Sequence, residues 1–184
     1  MKDYAHAGRL FIADLRSTEV GDLLLAASEH GLVAVEWAEQ QDEFMYYLRR
    51  LGAPVLRERA ALKPYAAEVR SYLAGERMRF SFAIDWSHFT GFQRRVLRAT
   101  FAIPYGQTRT YAEIAARVGR AAAARAVGRV QATNPMPIVI PCHRVVGSDG
   151  RLHGYGGGEG LKTKRWLLDL EARSRQAGSA LRPA

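Results

Sequence analysis

Cys142, the only cysteine in 184 residues, is followed directly by His143 and Arg144 and preceded by Pro141. Ile138, Val139 and Ile140 lead into the group, and Val145 and Val146 follow it. A thiol attacks as its thiolate, and its free pKa of ~8.5 falls where cations or an adjacent base stand close. Here an imidazole and a guanidinium are the chain neighbours. The plain alternative is a core thiol, since free cysteine is among the most buried residue types. Apolar packing, however, gives no reason to set two ionisable groups beside a buried thiol. The pattern reads as a nucleophile with its base.

Charge narrows the substrate. The net charge is +9, and it is unevenly spread. Residues 1–85 hold 11 Lys/Arg against 13 Asp/Glu, whereas residues 86–184 hold 16 against 5. The basic excess lies in the half that carries Cys142, which suggests a polyanionic partner. A genome biased towards arginine would act on both halves. One cysteine excludes an intrachain disulfide and any multi-cysteine zinc site. At this length folding buries roughly 70% of the unfolded surface, so no such staple is needed. The first residues lack the apolar core of a signal peptide, and no apolar run approaches the ~20 residues of a membrane span. The expected location is the cytoplasm.

The elements that must hold the thiol divide into two parts. Residues 10–15, 23–27 and 32–37 are apolar runs separated by turn-like clusters, and they predict antiparallel strands. A helix is predicted over residues 42–51, with Asp42 as cap, and another over 64–73, closed by Gly75. Phe80, Phe82 and Ile84 alternate and predict a further strand. This part shows no catalytic constellation, and His6, His30 and His88 have no metal-ligand spacing. Past residues 85–88 the chain turns basic and helical. Thr90 or Gly91 caps a helix carrying Phe92, Val96, Ala99 and Ile103. Thr110 and Glu113 form a capping box for a helix over 111–118, Gly119 stops it, and a second helix runs over about 121–132. The pair is either a helix-turn-helix or a structural helical hairpin. The second helix is nearly bald around Arg125, with Arg129 one turn on. That suits close approach to a narrow groove with one projecting side chain, or an Ala-rich helix packed in a core. A glycine-rich stretch, 154–160, lets backbone approach a ligand closely. A last helix is predicted from residue 161 to about Glu171, and residues 173–184 are predicted to be a disordered tail.

Residues 138–147 resemble the active-site stretch of the methylated-DNA–protein-cysteine methyltransferases (O6-alkylguanine-DNA alkyltransferases), whose hallmark is Ile/Val-Pro-Cys-His-Arg-Val. The resemblance extends to Ile103-Pro104-Tyr105-Gly106, to Thr110-Tyr111-Ala112-Glu113-Ile114-Ala115, to Ala124-Arg125-Ala126-Val127-Gly128 and to Asn134-Pro135. It covers residues from about 90 to 171 by motif, and the N-terminal half by strand order and leucine-rich composition.

The fold so implied is α+β: a small ribonuclease H-like α/β domain, residues 1–85, and a mainly helical domain, residues 89–172, with a winged-helix-like helix-turn-helix. The implied activity is DNA repair by stoichiometric transfer of the alkyl group from O6-alkylguanine, and from O4-alkylthymine, to Cys142. In that family pattern His143 takes the thiol proton and Glu171 orients His143. Tyr111 rotates the nucleotide out and assists guanine as leaving group. Arg125 enters the base stack, with Ala126 and Arg129 beside it on the DNA-binding helix, and Asn134 is the hinge between that helix and the active-site loop. Arg144, Val145, Tyr155 and Gly156 belong to the substrate pocket, the carbonyls of Cys142 and Val145 reading the exocyclic amine. The resemblance implies no cofactor and no metal. The implied partner is double-stranded DNA carrying alkylated guanine, bound by a monomer, with cooperative binding left open, and no membrane. Two other classes remain at this point. One is a binding module that flags alkylated bases, against which Cys142 argues. The other is a cysteine hydrolase, which leaves the bald helix and the charge skew unexplained.

Overall fold

A computed structural model describes residues 8–180; His6 and the end of the expected tail, residues 181–184, lie outside the described residues. Residues 10–37 form the expected antiparallel meander of β1 (Leu10–Thr18), β2 (Gly21–Ser28) and β3 (Gly31–Trp37). Ala13 pairs with Leu25, and Leu25 with Val35. Leu15, Leu23, Leu25, Val35 and Trp37 face the main core, while Leu10, Ile12, Leu24, Ala26 and Val33 face a second cluster. Both faces are buried, so the strands read as continuous apolar runs.

That second face is covered by α1 (Gln41–Arg50) through Phe44 and Leu48. Asp42 is not its cap. The capping position is Gln40, with no side-chain cap bond, and Asp42 lies in the first turn, where an acid suits the helix dipole. β4 (Val55–Arg57) was not foreseen; it runs parallel to β1 and completes the sheet order β3-β2-β1-β4. Three residues are too few to show a strand period.

Next comes α2 (Arg59–Leu73), which starts five residues before the expected Pro64. Pro64 therefore sits inside the helix and forgoes the bond to the carbonyl one turn back. Burying Leu62 completely favours the added turn. Gly75, at φ 76°, closes α2 as expected. The strand expected around Phe80–Ile84 reduces to a single bridge between Leu32 and Ile84. Phe80 and Phe82 stack on each other and on Tyr72 and Tyr65, so their alternation reflects ring packing and not a ladder.

In the C-terminal half, α3 (Gly91–Phe101) begins at a Thr90–Gln93 capping box, and α4 (Tyr111–Arg117) at the Thr110–Glu113 box. Gly119 turns the chain at φ 73°. A 3-10 turn over Ala121–Ala123 then leads into α5 (Ala124–Ala132). α4 and α5 pack together and against α3, a helical pair on a supporting helix. Two-residue strands β5 (Arg109–Thr110) and β6 (Val145–Val146) pair in parallel. They tie the residues just after Cys142 to the start of α4. The last helix, α6 (Leu161–Ala180), runs past Glu171 through much of the expected tail. Its added turns dock on the 104–106 turn, where Arg175 Nη1 donates to the Gly106 carbonyl at 2.9 Å. Buried residues from β1–β3, α2 and the C-terminal helices form one continuous cluster. Among the described residues no helix is long and apolar enough to cross a membrane.

Candidate active site

Cys142 opens a 3-10 turn, Cys142–Arg144, between the buried run 138–140 and β6. Ile138 adopts φ 71°, a left-handed conformation that is a true outlier for a β-branched side chain and costs about 1–3 kcal/mol. Its side chain is wholly buried, and that packing holds the bend that delivers Pro141 and Cys142. Asn134, just past α5, fixes the same loop. Its Nδ2 donates to the Ile140 carbonyl at 2.8 Å, and its Oδ1 accepts from the Met136 amide at 3.1 Å. The proposed hinge residue thus joins α5 to the thiol segment.

The thiol forms part of a cleft of ≈ 830 Å³ with Tyr111 at the start of α4, Arg125 and Gly128 on α5, and Tyr155 and Gly156 of the glycine-rich loop. Burial raises the pKa of Cys142 above its ordinary value, against the lowering effects of Asn134 and Lys164. The chain-neighbouring guanidinium does not supply the expected activation, because it is engaged elsewhere. Cys142 rests as a thiol and needs a base. Burial also raises the Tyr111 phenol, and Cys142 adds to the effect. Tyr111 is accordingly a neutral hydrogen-bond donor. Arg125 is exposed at the rim of the cleft, and among the described residues it has no hydrogen-bond or ion-pair partner. Ala126 and Arg129 lie on the same helix but do not line the cleft.

Behind the thiol is a buried polar cluster. His143 Nε2 donates to Glu171 Oε1 at 2.7 Å, with both side chains wholly buried. A carboxylate can only accept, so the ring carries its proton on Nε2 and Nδ1 is left with a lone pair. Nδ1 is buried and bonded to no described protein atom. Burial lowers the pKa of His143, and Glu171 partly restores it; the ring rests neutral, as a base must.

Glu171 accepts in addition from Arg144 Nε at 3.0 Å and Nη2 at 2.8 Å, from the Gly106 amide at 2.7 Å and from the Tyr72 hydroxyl. Although burial alone would raise its pKa, His143 first and Arg144 after it hold it at about 2. Arg144 is spent here, with Nη1 on the Ile103 carbonyl at 2.6 Å and its guanidinium 5.5 Å from the Tyr105 ring centre. It stands behind the thiol and not in the pocket where it was expected. Val145 is likewise buried away from the cleft. Its carbonyl, expected to meet the base, accepts Lys164 Nζ at 2.7 Å.

Sequence reading missed several of these residues. Lys164 is wholly buried, bonded also to the His153 carbonyl at 2.9 Å, and near enough to Cys142 to favour its thiolate. In the chain it reads as one cation among many on α6. Tyr72 read as part of the apolar face of α2. Gln40 Nε2 donates to the Gly156 carbonyl at 3.0 Å, and the Trp37 ring fills the space beside Gly157 and Gly158. The end of β3 and the 3-10 turn after it therefore brace the glycine-rich loop, although the N-terminal half showed no constellation of its own.

Comparison with known proteins follows the same division of the chain. Residues 12–86 match the ribonuclease-like domain, and residues 91–173 the DNA binding domain, of 6-O-methylguanine DNA methyltransferase. A methylated-DNA–protein-cysteine methyltransferase of Mycobacterium leprae is 42% identical over 152 residues, 83% of this chain and 87% of that protein.

The chain belongs to this methyltransferase family.

An inducible relative from Bacillus subtilis is 40% identical over 153 residues, covering 82% of this chain and 84% of its own. Among solved structures, the Mycobacterium tuberculosis O6-methylguanine methyltransferase superposes with a TM-score of 0.75 at 38% identity, covering 90% of this chain and 94% of its own. The M. tuberculosis protein in complex with DNA gives 0.74 at 37%, with the same coverage. Membership accounts for the paired architecture, an α+β N-terminal sheet domain beside a helical DNA-binding domain.

Proposed function

We propose that this methyltransferase repairs DNA by moving the alkyl group of O6-alkylguanine to Cys142, and that each molecule does so once. The observation that carries the reading is the joint placement of Cys142, Tyr111 and Arg125 around one cleft, with the His143–Glu171 pair behind the thiol. DNA lies against α5, and the modified nucleotide leaves the stack to enter the cleft, as enzymes that act on a base require. Arg125, free of protein partners, occupies the gap. Nδ1 of His143, bonded to no described protein atom, takes the thiol proton across one bridging water while Glu171 holds the N–H on Nε2. The sulfur then attacks the alkyl carbon in line; the C–S bond forms as the C–O bond to guanine breaks. Tyr111, a neutral donor, bonds to guanine N3 as negative charge develops there. The product thioether offers no bond that a base in the cleft can hydrolyse, so the protein is consumed. Double-stranded DNA with alkylated guanine is the partner, and a monomer suffices for the step.

Incubation with a duplex holding one O6-methylguanine, followed by intact mass and peptide mapping, tests the reading. One methyl group per protein, on Cys142 alone, is the expected result. Cys142→Ser should gain none and yet bind the duplex nearly as well as wild type. Many turnovers per molecule would point to a hydrolase instead.

A further inference from the structure

One donor to Glu171 comes from the other half of the chain. Tyr72, in the last turn of α2, gives its hydroxyl proton to Glu171 Oε1, the oxygen that also takes the His143 N–H. The Tyr72 oxygen lies 3.4 Å from His143 Nε2 as well. We propose that Tyr72 is a positioning residue of the proton relay, sharing Glu171 Oε1 with His143 and so setting how strongly that carboxylate holds the imidazole N–H. The proposal rests on the reading of Cys142 as the alkyl acceptor.

Three observations carry it. First, Tyr72 is wholly buried, and burial together with the Glu171 charge pushes its phenol well above 10. It keeps its proton throughout the working range and always has one to give. Second, with that proton turned to Glu171, the phenol oxygen presents lone pairs to Nε2–H. The imidazole proton is thus held between a strong acceptor at 2.7 Å and a weaker one at 3.4 Å, which fixes the ring plane and keeps Nδ1 as the free base. Third, the ring of Tyr72 is locked by packing on Phe80 and Tyr105, with centres 5.2 and 5.7 Å away, so the hydroxyl has no other place to go. The charged and titratable groups around His143 are Glu171 and Lys164 from α6, Arg144 and Cys142 from its own turn, and Tyr72 from α2. Among them Tyr72 alone comes from the N-terminal half.

The sign of its effect follows. A donor on Oε1 neutralises part of the carboxylate charge that would otherwise stabilise imidazolium. Removing the hydroxyl should raise the pKa of His143 by roughly half a unit, a threefold change in its protonated-to-neutral ratio. The free base then becomes available only at higher pH.

The test uses the full chain labelled with 15N-histidine, with the His143 ring titrated in wild type and in Tyr72→Phe. Single-turnover methyl transfer from an O6-methylguanine duplex is measured across the same pH range. The expected result is an upward shift of the His143 pKa in Y72F, with the acidic limb of the rate moving with it. In a second variant Tyr72 is replaced by 3,5-difluorotyrosine, which keeps the hydroxyl and makes it a stronger donor. There the His143 pKa should fall. Shifts of opposite sign in the two proteins support the proposal. An unchanged His143 pKa, or shifts of the same sign, overturns it, even where Y72F loses activity or stability. A wild-type protein that gains no methyl group while the ring still responds to Tyr72 would instead defeat the alkyl-transfer reading and leave the coupling standing.

Discussion

Arg144 follows His143 in the chain, yet its guanidinium closes on Glu171 of α6, with Nη2 2.8 Å from Oε1. The pair is buried on both sides, 8% and 0% exposed at the side chains. This geometry divides the labour of the Pro-Cys-His-Arg stretch. The cation that sequence sets beside the thiol secures the carboxylate, and the carboxylate secures the base.

The first prediction concerns that base. With the thiol raised by burial, proton removal by His143 should dominate the rate near neutral pH. His143→Ala should slow single-turnover alkylation by roughly a hundredfold or more and leave duplex affinity within about twofold. Rapid-quench kinetics beside a binding titration would show both, and an unchanged rate would remove His143 from the mechanism.

Glu171 links the site to stability. Its folded pKa of about 2 lies below the ordinary carboxyl value of 4.5. A carboxylate lowered on folding contributes stability that is fully present above the unfolded pKa and is lost as pH falls through the folded one. The contribution is on the order of 3 kcal/mol at neutral pH. Glu171→Gln gives it up and leaves Arg144 buried without its partner, a loss of about 3–5 kcal/mol. In urea unfolding the gap between wild type and E171Q should be wide at pH 7 and narrow between pH 4.5 and 2. A gap independent of pH would refute the linkage.

Lys164 should tune the thiol. Its Nζ serves the carbonyls of Val145 and His153, and its charge favours the Cys142 thiolate. Lys164→Met keeps the length and removes the charge. The thiol pKa, read from the pH dependence of its reaction with a small alkylating reagent, should rise further. Two carbonyls left unpaired should cost about 1–3 kcal/mol each. An unaltered thiol titration would reduce Lys164 to a purely structural strut.

Arg125 has two jobs open to it, and they differ in what Arg125→Ala removes. Loss of a phosphate contact weakens binding to all DNA and lowers the salt slope by about one unit. Loss of a wedge removes compensation for unstacking, worth a few kcal/mol. Arg125 stands at the rim of the cleft that holds Cys142, and small Ala124 and Ala126 flank it, which favours the wedge. R125A should therefore lose far more rate on an O6-methylguanine duplex than on the free O6-alkylated base. Equal losses on both substrates would exclude the wedge.

The sequence by itself pointed to the candidate nucleophile, its candidate base and the helix proposed to approach DNA. Cys142 and His143 are adjacent in the chain, the Thr110–Glu113 and Thr90 caps act within one turn, and the β1–β3 runs carry their own turn residues. Such features rest on local spacing, and local spacing survives folding. Tertiary structure decided what is brought together across the chain. Arg144 left the thiol because Glu171, 27 residues on, offers a buried guanidinium two acceptor oxygens where a thiol offers a weaker one. Tyr72 and Lys164 looked like ordinary members of helix faces, and only packing showed that one reaches Glu171 and the other the carbonyl of Val145. The N-terminal half, silent as sequence, completes the site because its sheet and α2 share one core with the helices that carry the thiol and its relay.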